Sequence, residues 1–311
     1  MHRDALVLHA RDSIARGSKS FAMASRLFDH ETRERAWLLY AWCRKCDDMA
    51  DGQDHGGVLS PVADPQACLN DIRAKTQSAL DGIETGDPAF DGLGVVAAET
   101  GIPHPFAHDL IEGFALDAAG WRPQTTDDLL RYCYHVAGAV GLMMAVVMGV
   151  SPDNEATLDR ACDLGLAFQL ANIARDIRED GEAGRCYIPA EWLAEAGMNR
   201  ETMLTPENRN RLAAIGSRLA TLAEDYECSA RIGATALPLR SAWAVLAAAG
   251  IYGDIARQVR RRGEAAWDRR IIIGKAAKLG WVAKALFQSL GRTQTAPRSL
   301  PRSAELWQRP R

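Results

Sequence analysis

The chain has 311 residues, 47% hydrophobic and 25% charged, which is enough apolar material for a large core and too much for a disordered segment. A net charge of −3 argues against general nucleic-acid binding. Seven cysteines, odd in number and scattered, suit a reducing compartment better than a disulfide framework.

The N-terminus is charged at Met1-His-Arg-Asp and lacks an apolar signal core, so a cytoplasmic protein is expected. Periodicity predicts a helix over 6–14, interrupted at Gly17-Ser18-Lys19-Ser20-Phe21, and a second from about 31 to 48 that closes towards Asp51-Gly52. Residues 53–65, rich in Gly and Asp, read as a loop. Helices resume over 67–80 and 105–120, the latter carrying Phe106, Leu110, Ile111, Phe114 and Leu116 at helical spacing. Thr126-Asp-Asp-Leu is read as the cap of a helix reaching Val150. Its uncharged run of 15 residues, 136–150, is short for a membrane span of about 20. A long helix over 155–180 follows, then a loop over 181–189 and helices at 191–196, 206–230, 238–262 and 274–289. No alternating strand pattern survives. The expected architecture is all-α: a single helical bundle around a central cavity over 1–290, followed by a basic tail, 291–311, expected to be flexible.

Two stretches carry the chemistry. Arg44-Lys-Cys-Asp47-Asp48-Met-Ala-Asp51 and Gln169-Leu-Ala-Asn172-Ile-Ala-Arg175-Asp176-Ile-Arg-Glu179-Asp180 each hold two aspartates at i and i+4. On a helix that spacing leaves the side chains about 40° apart on one face, where like charges repel unless a cation sits between them. Phe168, Leu170, Ile173 and Ile177 surround the second pair, so a polar stripe of Gln169, Asn172, Asp176 and Asp180 crosses an otherwise apolar helix and needs partners. Solvated acidic faces are common, but two such pairs in apolar settings point to Mg²⁺, with Mn²⁺ as the substitute, and through the metal to a diphosphate. Cys43 and Cys46 form a CxxC without a second pair at zinc spacing, and His104 and His108 lack a third ligand, so neither marks a metal centre.

Taken together, Gly17-Ser-Lys-Ser-Phe21, Tyr40-Ala-Trp-Cys-Arg44, Tyr132-Cys-Tyr-His-Val-Ala-Gly138-Ala-Val-Gly141, the 164–180 motif and Arg185-Cys-Tyr187-Ile-Pro resemble the squalene and phytoene synthase family, most of all its bacterial phytoene-forming branch. One departure is Gly181-Glu-Ala-Gly184 in the linker before Arg185. The resemblance implies head-to-head condensation of two geranylgeranyl diphosphates to phytoene through a cyclopropyl diphosphate. It implies metal ligation by Asp47, Asp51, Asp176, Asp180 and Asn172. Arg44, Lys19, Arg185 and Arg270 would grip diphosphate, helped by Ser18, Ser20 and Gln169. Phe21, Tyr40, Tyr132, Tyr187 and Tyr252 would wall the site, and Gly138 would let a prenyl chain approach the helix. No NADPH is expected. The implied partners are prenyl diphosphates, a peripheral membrane surface met through the basic 257–278 segment or an apolar helix, and neighbouring carotenoid enzymes. Three alternatives stay open: a squalene-type or dehydrosqualene-type synthase acting on farnesyl diphosphate, a head-to-tail elongase, and a non-catalytic isoprenoid-binding protein.

Overall fold

The computed structural model describes residues 1–52, 62–295 and 300–311, excluding the side chains of Ser20 and of 292–295; most of the expected 53–65 loop lies outside. The described residues form thirteen α-helices and no strand: α1 Arg3–Gly17, α2 Lys19–Ser25, α3 His30–Asp51, α4 Pro65–Leu80, α5 Pro88–Thr100, α6 His104–Ala118, α7 Thr126–Cys133, α8 Ala139–Val147, α9 Glu155–Glu182, α10 Ala190–Glu195, α11 Arg209–Gly233, α12 Leu239–Arg262 and α13 Lys275–Thr295. Caps set the boundaries. Ser18 takes an extended conformation that ends α1, and its hydroxyl accepts from the Phe21 N–H to start α2. Asp29 caps α3 through the Thr32 N–H, and Gly52 closes it in the left-handed region at φ 63°. The cap of α7 is Thr125, one residue before the expected Thr126, in a reciprocal capping box with Asp128.

α9 is the central wall, packed against α7, α8, α11 and α12. It touches α8 and the preceding turn at backbone distance: a Cβ on Gly165 would lie 2.3 Å from the Ala137 carbonyl, and one on Gly141 would lie 2.4 Å from the Ala161 carbonyl. Between α7 and α8 the helix widens into a π turn, Tyr134–Gly138, instead of running regularly as expected. The stretch Thr126–Val147 has the length and composition of a membrane span, yet 61% of its most apolar window is buried inside the bundle.

The tail departs from expectation. Residues 300–311 form a strap across α7, α9 and α11. Arg302 makes a bidentate pair with the fully buried Asp163, Nη2 to Oδ1 at 2.7 Å and Nε to Oδ2 at 2.9 Å. The Trp307 N–H donates to the Tyr226 hydroxyl at 3.1 Å and its indole N–H to Asp127 at 2.7 Å, while Arg309 and Arg311 pair with Glu155 and Asp159. Leu306 joins the core. Flexibility is the expectation for a basic, proline-bearing segment only when its charges lack partners, and these have them.

Candidate active site

One apolar cavity of about 370 Å³ runs through the bundle. Thr157, Arg160, Leu164, Phe168, Gln169 and Asn172 form its α9 wall. Phe21, Tyr40 and Tyr252 on other helices, and Ser18 at the cap between α1 and α2, lie around it. Asp176 and Asp180 continue the α9 face one and two turns beyond Asn172, so the acidic motifs belong to one end of this cavity.

The two motifs meet there. Arg185 Nη1 stands 3.6 Å from Asp51 Oδ2 and its Nε 3.6 Å from Asp180 Oδ1, so one guanidinium spans the first motif and the second. Each remaining aspartate also has an arginine. Arg44 stands 3.0 Å from Asp47 and 2.7 Å from Asp48, and Asp176 is held by Arg175 from its own helix and by Arg270 at 3.0 Å. Arg270 reaches Glu179 as well, at 3.8 Å. Among the described residues no three His, Cys, Asp or Glu side chains converge at metal-ligand distance. Arginines occupy those oxygens instead.

Burial, with neighbouring carboxylates adding to it, raises the acids here. Burial pushes Asp47 up to about 6, with Arg44 opposing and Asp51 and Asp48 adding to the rise, although two-fifths of its side chain reaches solvent. Burial also raises Asp180 to about 6, against Arg185 and with Asp176 and Glu179. Asp117 on α6, which the sequence reading missed, is raised to about 6 by burial and then by Asp51, against two tyrosine hydroxyls. Tyr132 donates to its Oδ2 at 2.9 Å and Tyr187 to its Oδ1 at 3.0 Å, and the two rings stack 4.9 Å apart. These tyrosines therefore orient a fifth carboxylate instead of lining the cavity, as had been expected of them. Buried Arg44 Nε and Arg185 Nε have no hydrogen-bond acceptor in the protein. Such donors are costly unless an acceptor arrives, and a phosphate oxygen is the acceptor a guanidinium fits best.

At the cavity end nearest the motifs the aromatics gather. Phe21 and Tyr40 lie 5.6 Å apart, and Tyr252 stacks on Phe168 at 4.2 Å. Burial pushes the Tyr40 hydroxyl up to about 12, with Arg44 opposing, and raises Tyr252. Gly17 explains its motif: a Cβ there would lie 2.4 Å from the Tyr40 hydroxyl and 3.5 Å from Arg44 Cδ. Gly138 is a packing position, its missing Cβ filled by Cys162, Leu166 and Tyr134, and it does not line the cavity. Lys19 is exposed. The Ser20 side chain lies outside the described residues. Phe168, Arg175 and Asp117 are the additions that sequence reasoning did not assign. Asp117 carried a signal, because it falls three residues after Phe114 and seven after Leu110, on the apolar stripe of α6.

An all-α bundle with an apolar interior and an acidic, arginine-bound mouth defines the isoprenoid-synthase class of helical folds. The squalene/phytoene synthase family model matches residues 14–277. The chain is 49% identical over 313 residues to the 15-cis-phytoene synthase of Pantoea ananas, covering 100% of both, and 50% identical to that of Enterobacter agglomerans over 94% of this chain and 99% of the relative. A dehydrosqualene synthase crystal structure superposes with a TM-score of 0.81 at 26% identity, over 91% of this chain and 96% of that one. The chain belongs to the squalene/phytoene synthase family.

Proposed function

We propose that the chain is a phytoene-forming prenyltransferase of carotenoid biosynthesis, joining two geranylgeranyl diphosphates head to head through a cyclopropyl diphosphate, with loss of both diphosphates and two protons, one as the cyclopropane closes and one at the end. Full-length relatives at about half identity carry that name. The observation that carries the reading is Arg185, 3.6 Å from both Asp51 and Asp180 at one end of an apolar cavity, because it gathers both acidic motifs where a diphosphate head would sit while the hydrocarbon chain lies inward.

Asp47, Asp51, Asp176, Asp180 and the Asn172 carbonyl would hold Mg²⁺, or Mn²⁺ in its place. Hard oxygen donors on two facing helices fit such an ion, which would offset both the burial that raises Asp47 and Asp180 and the neighbouring carboxylates that add to it. The bound metal supplies neutralisation of the leaving diphosphate. Arg44 and Arg185, with their unpaired Nε donors, would turn to phosphate oxygens, and Arg270 would follow. Phe21, Tyr40, Phe168 and Tyr252 would face the allylic cation with ring π-density in a site closed to water. Loss of a proton, with no hydride delivered, ends the sequence, so NADPH has no part in it.

Peripheral attachment to a cytoplasmic membrane surface belongs to the same reading. On α13, Leu279, Phe287 and Leu290 are exposed at 63%, 74% and 58%, beside exposed Lys275 and Lys284, the composition of a helix lying in a lipid interface. Phe287→Glu should weaken flotation with anionic vesicles, and unchanged flotation would remove α13 from the account. The main test is incubation of purified protein with Mg²⁺ and geranylgeranyl diphosphate, then farnesyl diphosphate, without NADPH. A forty-carbon hydrocarbon is expected, whereas a thirty-carbon product from the shorter substrate alone would overturn the substrate, and no hydrocarbon from either would overturn the enzyme.

A further inference from the structure

The apolar cavity meets a charge far from its mouth. Arg160 lines it on α9, sixteen residues before Asp176, which at 1.5 Å per residue is about 24 Å along the helix from the acidic mouth. The side chain is buried, with 8% exposure, and it is held from outside the cavity. Its Nη1 donates to the Ser229 carbonyl at 3.0 Å and to the Ser229 hydroxyl at 3.2 Å, and its Nη2 donates to the Leu300 carbonyl of the strap. Asp163, one turn further on, accepts from Ser229 and fixes the strap through Arg302. Gly233 backs the stem so closely that a Cβ there would stand 2.7 Å from Arg160 Cβ. The guanidinium therefore cannot swing aside without breaking bonds to two separate elements.

We propose that Arg160, pinned by the C-terminal strap, is the chain-length stop of the cavity, admitting four isoprene units and turning back a fifth. The inference rests on the reading that the diphosphate head lies at the acidic mouth. The diphosphate head takes up the turn from Asp176 to Asn172, and from Asn172 twelve residues of α9, about 18 Å, lead to Arg160. A carbon chain advances about 1.3 Å per bond of ordinary 1.5 Å length, so the roughly sixteen in-line carbons of four isoprene units span about 19 Å and a fifth unit adds about 5 Å. The fourth unit ends against the guanidinium. A fifth has to displace a charged, hydrogen-bonded group with a hydrocarbon that offers it no acceptor, which binding does not compensate.

The test uses unreactive S-thiolodiphosphates of three, four and five isoprene units, titrated calorimetrically in Mg²⁺ buffer into the full-length protein. In the parent, affinity should climb through four units and fall at least tenfold at five. Arg160→Met, apolar and flexible at similar length, should raise the five-to-four affinity ratio at least tenfold. A parent that binds the five-unit analogue as tightly as the four-unit one overturns the proposal, and so does a folded Arg160→Met protein with the parent's ratio. Should that variant fail to fold, the parent's profile decides alone. Because the analogues do not react, a failure to form hydrocarbon in the activity assay would count against the catalytic reading and not against this one.

Discussion

Adding one methyl group at Gly17 should damage the site through Tyr40, and the damage should vanish when the Tyr40 hydroxyl is removed. The new Cβ in Gly17→Ala would stand 2.4 Å from that hydroxyl, against about 3.4 Å for ordinary contact, so the ring must retreat about 1 Å from a position packed on Phe21 and beside Arg44. Overpacking of this kind costs about 1–3 kcal/mol, partly offset by the up to ~1 kcal/mol that alanine gains over glycine in a helix. A 1 Å displacement near the reacting groups lowers kcat by up to about a hundredfold. In a Tyr40→Phe background the nearest ring atom would be Cζ at 3.4 Å, which is unstrained, and Gly17→Ala should be neutral or slightly stabilising there. Urea unfolding and kcat of the four proteins in the cycle should show coupling of about 1–3 kcal/mol between the two positions. Additive effects would refute the argument that the hydroxyl is what requires glycine.

Burial holds the Asp117 carboxyl at about 6 in the folded protein against 3.8 ordinarily, so the folded state binds that proton more tightly. Its contribution to stability is complete below about pH 4 and is lost as pH rises through about 6, on the order of 3 kcal/mol if fully expressed. Asp117→Asn should flatten the fall of Tm across that window, and a parent-like slope would sink the assignment. Arg302→Ala leaves the fully buried Asp163 without its guanidinium and should cost about 3 kcal/mol in urea. Asp163→Asn in the same background should restore part of that, and a further loss there would show that the pair is not the anchor. Mg²⁺ with inorganic diphosphate should raise the Tm of the parent more than that of Asp176→Asn, whereas equal shifts would undo the metal assignment.

Most helices were legible because their apolar positions recur every three or four residues and their caps are local. α5 was not expected. Its sequence, Pro88-Ala-Phe-Asp-Gly-Leu-Gly-Val-Val-Ala-Ala-Glu-Thr100, is buried on more than one face and so shows no stripe, although Asp87 followed by Pro88 is an ordinary helix start. The two acidic motifs were legible because i,i+4 spacing is a property of one helix. Asp117 was harder, since its role depends on Tyr132 and Tyr187, fifteen and seventy residues away. Arg160 offered a better clue, spaced every fourth residue with Leu164, Phe168 and Asn172 along the cavity stripe. The strap was unreadable for a plain reason. Its arginines find partners 139 to 156 residues earlier, and nothing in a basic, proline-bearing segment says where those partners will be.

The arginines at the mouth also bear on turnover. An anion arriving there meets no bare aspartates, and apart from the unpaired Nε donors of Arg44 and Arg185 its guanidinium partners are engaged, because Arg44, Arg175, Arg185 and Arg270 already lean on carboxylates. Seating it is an exchange, in which old contacts are surrendered as new ones form, so the net affinity is much smaller than the sum of the bonds made. The same carboxylates stand ready to reclaim their arginines when the product leaves. A pocket that traded nothing on entry would hold its diphosphate too firmly to be used twice.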